Sequence, residues 1–318
     1  MASTPSPIAD LTYRNYDGTL ESPRYRWWVI ARMGIKQAFK KRSFWVFTTF
    51  SGAYYFVMMI VLFFVEQLAT NSPARGGVDP MQSFYDRIVW KDQFMHGISL
   101  GQIWFLVLAL LLGAGAIAND NRANALLVYL SKPCEKADYL LGKWMGIFLP
   151  MLLAVAIPTF FFYFYGALSF RDRGFLSSDP WLILKLLAIV PLPAAFHASV
   201  VLGVSSLFNQ GRLAGATYAG LYFVTNFFTQ MMGVTWRMSR GGISPVVKNL
   251  YYGSVDGVQI GLTKAILGTD GTPPFGVPGR IESVPAPSLA VFIPVFLLIC
   301  GGSLWLAWSR IRAVEVVG

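Results

Sequence analysis

The stretch LVYLSKPCEKADYLLGKW, from Leu127 to Trp144, places a cluster of charged residues between two long apolar runs. The chain around it has 318 residues, of which 55% are hydrophobic and only 13% are charged. This balance is too apolar for an ordinary soluble domain, and it is typical of a chain surrounded by lipid. The stretch is therefore interpreted as a polar connection between two membrane spans.

Working outward from this connection, the sequence contains further apolar runs of similar length. Each has about 20 residues, which is enough to cross a ~30 Å hydrocarbon core as a helix. The runs are Ser43–Val65, Ile98–Ala118, Trp144–Leu168, Trp181–Phe208, Leu213–Trp236 and Pro287–Trp308. They predict an all-α integral membrane protein with six transmembrane helices, and they leave no room for a catalytic domain.

The segment RWWVIARMGIKQAFKKR, residues 26–42, precedes the first run and has two different faces. Arg32, Lys36 and Lys40 are spaced four residues apart, whereas Trp27 and Ala31 fall mostly on the opposite side. An aromatic face that meets headgroups and a basic face that meets anionic lipid predict an amphipathic helix at the membrane interface. The alternative is a solvated basic segment.

The distribution of Lys and Arg predicts the orientation of the chain. Fifteen of them lie in four segments: before the first run, between the second and third runs, between the fourth and fifth runs, and after the last run. Ten lie in the longer segments on the other side. Excess positive charge favours the cytoplasm, so both termini are predicted to be cytoplasmic. The net charge of +10 is therefore interpreted as a signal of membrane orientation and not of nucleic-acid binding. The predicted organisation is a cytoplasmic tail (1–25), the interfacial helix (26–42), the six-span domain (43–309) with a cytoplasmic hairpin at 119–143 and a long external loop at 237–285, and a second tail (310–318).

Polar residues inside the runs are few, and each costs free energy unless it faces protein or water. Lys185 is expected to extend toward the outer surface. His197 is interpreted as a hydrogen-bonded core histidine. Tyr222, Asn226 and Gln230 share one helical face, so they either line a polar pathway or join helices within the chain or across a dimer interface.

Several kinds of chemistry lack their usual signatures. No glycine-rich loop followed by Lys-Ser or Lys-Thr is present, so no nucleotide site is predicted in this chain. Cys134 and Cys300 lie far apart and suggest neither a disulfide framework nor a metal site. We predict no catalytic residues, no metal and no cofactor in this chain.

The connection at 119–143 is predicted to form a compact hairpin. Asp120 and Arg122 follow the second run, and a break at Ser131–Pro133 precedes the return to the membrane. Leu126, Leu127 and Leu130 are more apolar than a solvated turn requires, so a groove in a partner protein would suit them. An ordinary solvated loop is the alternative.

The segment NDNRANALLVYLSKPCEKADYLLGKW resembles the loop after the second span in permeases of type-2 ATP-binding-cassette transporters. Asp120 stands at the acidic position of that loop, Leu126 and Leu130 in its leucine run, Ser131 and Pro133 in the break, and Tyr139 to Lys143 in the return. Asn124-Ala125 replaces Gly-Thr, and Arg122 stands where a second acidic residue is common. The plan of the whole chain resembles the same family.

The resemblance implies a permease half-unit, with a short cytoplasmic coupling helix between spans two and three that sits on a separate ATPase subunit. The coupling residues it implies are Asp120, Arg122, Leu126, Leu127, Leu130, Ser131, Lys132, Pro133, Glu135 and Lys136. Two permease chains would work with two ATPase subunits, in the cytoplasmic membrane of a bacterium. ATP and Mg would bind to the ATPase subunits. Lipid, drug, peptide and polysaccharide cargoes all fit such an exporter. The alternative is a non-transporting membrane anchor or assembly subunit of a larger complex.

Overall fold

The computed structural model describes residues 25–71, 85, 88–125, 135–238, 245–272 and 283–311, and these residues form helices joined by short turns, without strands. Numbered in chain order, the helices are α1 (Arg26–Lys40), α2 (Arg42–Ser51), α3 (Ala53–Asn71), α4 (Trp90–Gly113), α5 (Ala118–Arg122), α6 (Lys136–Ser169), α7 (Phe175–Ser178), α8 (Leu182–Ile189), α9 (Pro191–Ser205), α10 (Gly211–Met238), α11 (Pro245–Tyr251), α12 (Val255–Leu267) and α13 (Leu289–Arg310). The prediction of an all-α chain is confirmed for this part of the sequence.

Four helical segments of the described part are long and apolar enough to cross a membrane. They are Trp90–Arg122, Lys136–Ser169, Leu182–Ser205 and Leu289–Arg310. The bent pair α2 and α3 makes a fifth if it is counted as one span. The predicted run Leu213–Trp236 lies within the 28-residue helix α10, which is long enough but carries more polar side chains than the others. The count of six spans stays a prediction.

The first predicted run, Ser43–Val65, is not one straight helix. It bends by 51° between α2 and α3, at Gly52. A Cβ on Gly52 would lie 2.5 Å from Cβ of Pro158 in α6, so only glycine lets α6 approach this closely. The bend thus lies at a close contact with a residue far away in the sequence.

The predicted run Trp181–Phe208 is also divided, into α8 and α9. Pro191 is the first residue of α9, where its missing N–H removes no helical hydrogen bond. Helix α9 packs against α13, α6 and α4, and most of its side chains are buried. It is the central helix of the bundle.

Glycine ridges bring neighbouring helices into contact within the chain. Gly142 and Gly146 of α6 lie against α1, and a Cβ on Gly34 would stand 3.1 Å from Cα of Gly146. Gly101 faces the backbone of α2, and Gly211 faces the turn after α4. Because glycine lacks a side chain, these positions allow neighbouring helices to pack closely.

Contacts between loops divide the bundle into two ends. At one, the hairpin end, Nδ2 of Asn121 donates to the carbonyl oxygen of Phe208 at 3.3 Å. At the opposite end, the far end, Nζ of Lys91 lies 3.4 Å from Oδ2 of Asp179. Segments that precede α6 and α10 thus meet at one end, and the start of α4 meets the segment that precedes α8 at the other, as alternating spans require.

Candidate functional sites at the two ends of the bundle

The base of the predicted hairpin is held by a side-chain clasp. Oδ2 of Asp120, in α5, accepts a hydrogen bond from the Tyr139 hydroxyl at 2.7 Å and lies 2.7 Å from Nζ of Lys143. Nζ of Lys143 also lies 5.5 Å from the centre of the Tyr139 ring. Tyr139 and Lys143 are one turn apart in α6, so both side chains reach Asp120. The clasp therefore joins α5, where the chain enters the hairpin, to α6, where it leaves.

The tip of the hairpin carries six of the ten predicted coupling residues. Leu126, Leu127, Leu130, Ser131, Lys132 and Pro133 lie outside the described residues, as does Cys134. Glu135 and Lys136 lie at the start of α6, where Glu135 is the N-cap and forms a capping box with Asp138. The coupling roles of these six residues therefore stay predictions.

A serine that sequence analysis missed fixes the turn between α4 and α5. Oγ of Ser205, at the end of α9, accepts hydrogen bonds from the backbone N–H groups of Ile117 at 3.1 Å and Ala118 at 3.0 Å. The same hydroxyl donates to the carbonyl oxygen of Ala114 at 2.8 Å. Ser205 is fully buried, so the central helix directly sets where the hairpin begins.

Beside this turn, a cavity of about 840 Å³ opens between the segment that contains α5 and the start of α10. Arg122 and Arg212 lie on its wall, with Leu110, Ala114 and Ala216 on the apolar part. The backbone N–H of Gly211 donates to Oδ1 of Asn119 at 3.3 Å, which holds α10 against α5. Arg122 thus lines a cavity at the hairpin end, beside the Asp120 clasp.

Helix α10 is tied to α9 and α12 by a ladder of polar side chains. Nδ1 of His197 lies 2.6 Å from the Tyr218 hydroxyl, which confirms the interpretation of His197 as a hydrogen-bonded core histidine. One turn further along α10, the Tyr222 hydroxyl donates to Oδ2 of Asp256 at 2.6 Å, and Nδ2 of Asn226 donates to the same oxygen at 3.1 Å. Two of the three polar residues on the predicted face thus bind one carboxylate in the same chain.

Asp256 is the residue of this site that sequence analysis missed. It lies in the first turn of α12, whose N-cap Ser254 accepts a hydrogen bond from the backbone N–H of Gly257 at 2.9 Å. A helix of 13 residues is about 20 Å long and does not span a bilayer. Burial raises the pKa of the Asp256 carboxyl to about 6, although hydrogen bonds from Tyr222 and Asn226 oppose the shift.

A cavity of about 370 Å³ adjoins Asp256 between α4, α10 and α12. Its wall contains four aromatic and several small polar side chains. They are Tyr222, Phe223, Tyr251 and Tyr252, with Ser99, Asn226, Thr229, Gln230 and Ser254. Gln230, the third residue of the predicted polar face, therefore lines this cavity. A second cavity, of about 290 Å³, shares Ser99, Gln230, Tyr251 and Ile260 with the first and also contains Lys264.

Two further polar clusters fix the far end. Lys185 does not extend freely to the surface: its Nζ lies 2.7 Å from Oδ2 of Asp179 and donates to the carbonyl oxygen of Leu267 at 3.4 Å. The buried carboxylate of Asp92 accepts hydrogen bonds from the hydroxyls of Thr269 and Thr272 and from the backbone N–H of Thr272. Both clusters join the end of α12 to the spans.

Metal-binding chemistry is not indicated in the described part of the chain, where no group of three or more His, Cys, Asp or Glu side chains converges. Cys300 is a free thiol. What the site residues offer instead is hydrogen bonding between helices and cavities with different charges: Arg122 and Arg212 line the cavity at the hairpin end, whereas Asp256 lines the 370 Å³ cavity.

Comparison with known proteins places these features in a family. A family model described as "ABC-2 family transporter protein" matches residues 28–267, from α1 to the end of α12. The match therefore includes the hairpin, the polar ladder of α10 and Asp256. No curated protein matches the chain.

Proposed function

This chain belongs to the ABC-2 transporter family as a membrane permease, and we propose that it forms the translocation pathway of an exporter driven by a separate ATPase subunit. In this proposal the six predicted spans of one chain pair with those of a second permease, both termini are cytoplasmic, and ATP and Mg bind only to the ATPase. The membrane is the cytoplasmic membrane of a bacterium.

The observation that carries the proposal is the clasp at the hairpin base. Asp120 joins α5 to Tyr139 and Lys143 of α6, so the two arms that enter and leave the hairpin are held together. A force applied at the tip would reach α4 and α6 through this clasp instead of being lost in a flexible loop. Such a rigid base supports the interpretation of the tip as a coupling helix.

The first test removes the apolar residues at the tip. Burial of one leucine stabilises a contact by ~1.5–3 kcal/mol, so the double variant Leu127→Asp/Leu130→Asp should weaken ATPase binding by about 100-fold or more. We would purify the tagged full chain from its native membranes in mild detergent and measure the ATPase activity that co-purifies. ATPase association that survives this change would contradict the coupling helix and favour the anchor alternative.

The matched control places two aspartates at the far end. Val89 and Leu176 are exposed apolar residues there, 42% and 41% accessible, so Val89→Asp/Leu176→Asp adds the same charge away from the hairpin. This control should keep the ATPase. The isolated chain should not be labelled by a photoreactive ATP analogue, and saturable labelling would contradict the assignment of ATP to a partner.

Orientation has its own measurement. In a Cys300→Ala background, Cys134 at the tip should react with a membrane-impermeant thiol reagent only after the cytoplasmic side is opened. Reaction in intact cells would place the hairpin outside and reverse the proposed topology.

A further inference from the structure

The cavity beside Asp256 has the chemistry of a ligand site. Its volume of about 370 Å³ lies within the range of small-molecule pockets. Asp256 is its only charged lining residue among those that the structure describes. Any ligand that enters this cavity therefore meets a net negative charge.

The Asp256 carboxylate is only partly satisfied within the described chain. Oδ2 accepts hydrogen bonds from Tyr222 and Asn226, whereas Oδ1 is buried and accepts none. No Lys or Arg of the described residues forms an ion pair with it. A buried carboxylate without a cationic partner costs free energy, which a proton or a bound cation would recover.

The aromatic side chains of the wall favour a particular kind of cation. Tyr222, Phe223, Tyr251 and Tyr252 surround the cavity, and the electron-rich faces of aromatic rings attract cations such as quaternary ammonium groups. A hydrated metal ion would gain little from these rings. An organic cation gains from both the rings and the carboxylate.

Lys264 marks the limit of the cationic site. It lies two turns beyond Asp256 on α12, about 12 Å along the helix, and it lines the neighbouring cavity. Its Nζ donates to the carbonyl oxygen of Val284 at 3.1 Å. Lys264 does not line the first cavity, where Asp256 is the charged residue. From the neighbouring cavity, the Lys264 ammonium would repel a second cationic group on the same ligand.

We propose that the cavity between α4, α10 and α12 binds a small organic cation, with the Asp256 carboxylate as counter-ion and the aromatic side chains as its walls. The identification of this cation as cargo, released at the far end, rests on the proposed function. The binding site itself does not depend on that function.

The test compares three probes of matched shape on the full chain in lipid nanodiscs. Benzyltrimethylammonium carries the positive charge, neopentylbenzene is its neutral isostere, and benzenesulfonate is an anion. Calorimetric titration should show that the cation binds most tightly. Equal binding of the neutral isostere, or preferred binding of the anion, would overturn the proposal.

Two variants locate the binding. Asp256→Asn keeps the size of the side chain and should weaken cation binding by about tenfold or more, as expected for loss of a close charge. Asp172→Asn removes an exposed carboxylate outside the cavity and should leave binding unchanged. Equal affinity in Asp256→Asn and the original chain would overturn the assignment of the counter-ion.

A further variant keeps the test informative if Asp256→Asn does not fold. Phe223 lies on the exposed side of α10, and Phe223→Leu leaves the hydrogen bonds of Asp256 in place. It should weaken cation binding about two- to fivefold while neopentylbenzene binding changes little; the reverse pattern would contradict an aromatic site for cations. ATPase co-purification is measured separately, so failure of this inference and failure of the proposed function give different results.

Discussion

The contact between α1 and α6 makes Gly142 the most sensitive glycine of the hairpin end. A Cβ at this position would lie 2.7 Å from Cβ of Ile30 and 2.7 Å from the carbonyl oxygen of Trp27. The second atom belongs to the backbone, so it cannot move aside by rotation of a side chain. Replacing Gly142 with alanine should therefore push α1 away from α6.

The expected magnitude is the difference between two effects. Overpacking costs ~1–3 kcal/mol, whereas alanine in place of glycine inside a helix gains ~0.5–1 kcal/mol. Gly302 in α13 supplies the control, because no atom lies within 4 Å of the position that its Cβ would occupy. Gly302→Ala should gain the helix term alone, so the two variants should differ by about 1–3 kcal/mol.

The free energy of unfolding of both variants can be measured by SDS titration in the same detergent. Trypsin cleavage at Arg32 and Lys36, which lie on the exposed face of α1, reports whether that helix has separated from α6. Faster cleavage should accompany Gly142→Ala only. If Gly142→Ala is as stable as Gly302→Ala and is cleaved no faster, the reasoning from close packing is wrong.

Three other changes test the polar contacts. Asp92→Ala removes the acceptor of three hydrogen bonds and should destabilise the chain by about 2–4 kcal/mol. Proteolysis of the segment after α12 should become faster; an unchanged cleavage rate would contradict the role of Asp92 in holding this segment. Tyr218→Phe should cost about 1 kcal/mol, and a double-mutant cycle with His197→Gln should show coupling, since additive losses would mean that the hydrogen bond contributes nothing. Burial raises the pKa of Asp256 from 3.8 to about 6, so its contribution to stability is complete below pH 3.8 and is lost as the pH rises through about 6. Unfolding across this window should show a fall of up to about 3 kcal/mol that Asp256→Asn lacks, and the same slope in both proteins would contradict the shift.

Composition predicted the helical membrane segments because hydrophobicity is a local property of the chain. It did not predict how closely Gly52, at the bend, approaches Pro158, because the two residues are remote in sequence and meet only in the folded chain. The division at Pro191 had a local signal in the proline itself. The run Leu213–Trp236 was predicted from its apolar composition, although α10, which contains it, is less apolar than the helices that are long and apolar enough to cross a membrane.

The candidate sites were predicted in part for a similar reason. The spacing of Tyr222 and Asn226 indicated a shared polar face, but their common partner lies in a segment that was interpreted as an external loop. Asp256 carried a signal of its own: it follows Ser254, a good N-cap residue, and precedes an apolar run. An N-cap serine, an acidic residue in the first turn and an apolar run together indicate the start of a helix.

Helix α10 contacts structures at both ends of the bundle, and this gives the proposed coupling a physical route. At the hairpin end the N–H of Gly211 binds Asn119, next to the Asp120 clasp. Further along, Tyr218 binds His197 of the central helix, and Tyr222 binds Asp256 beside the cation cavity. A rigid helix that moves at its first turn must also move at these later contacts, because they lie on the same continuous backbone. Displacement of the hairpin would therefore change the hydrogen bonds that hold the Asp256 carboxylate, and with them the affinity of the cavity for a cation.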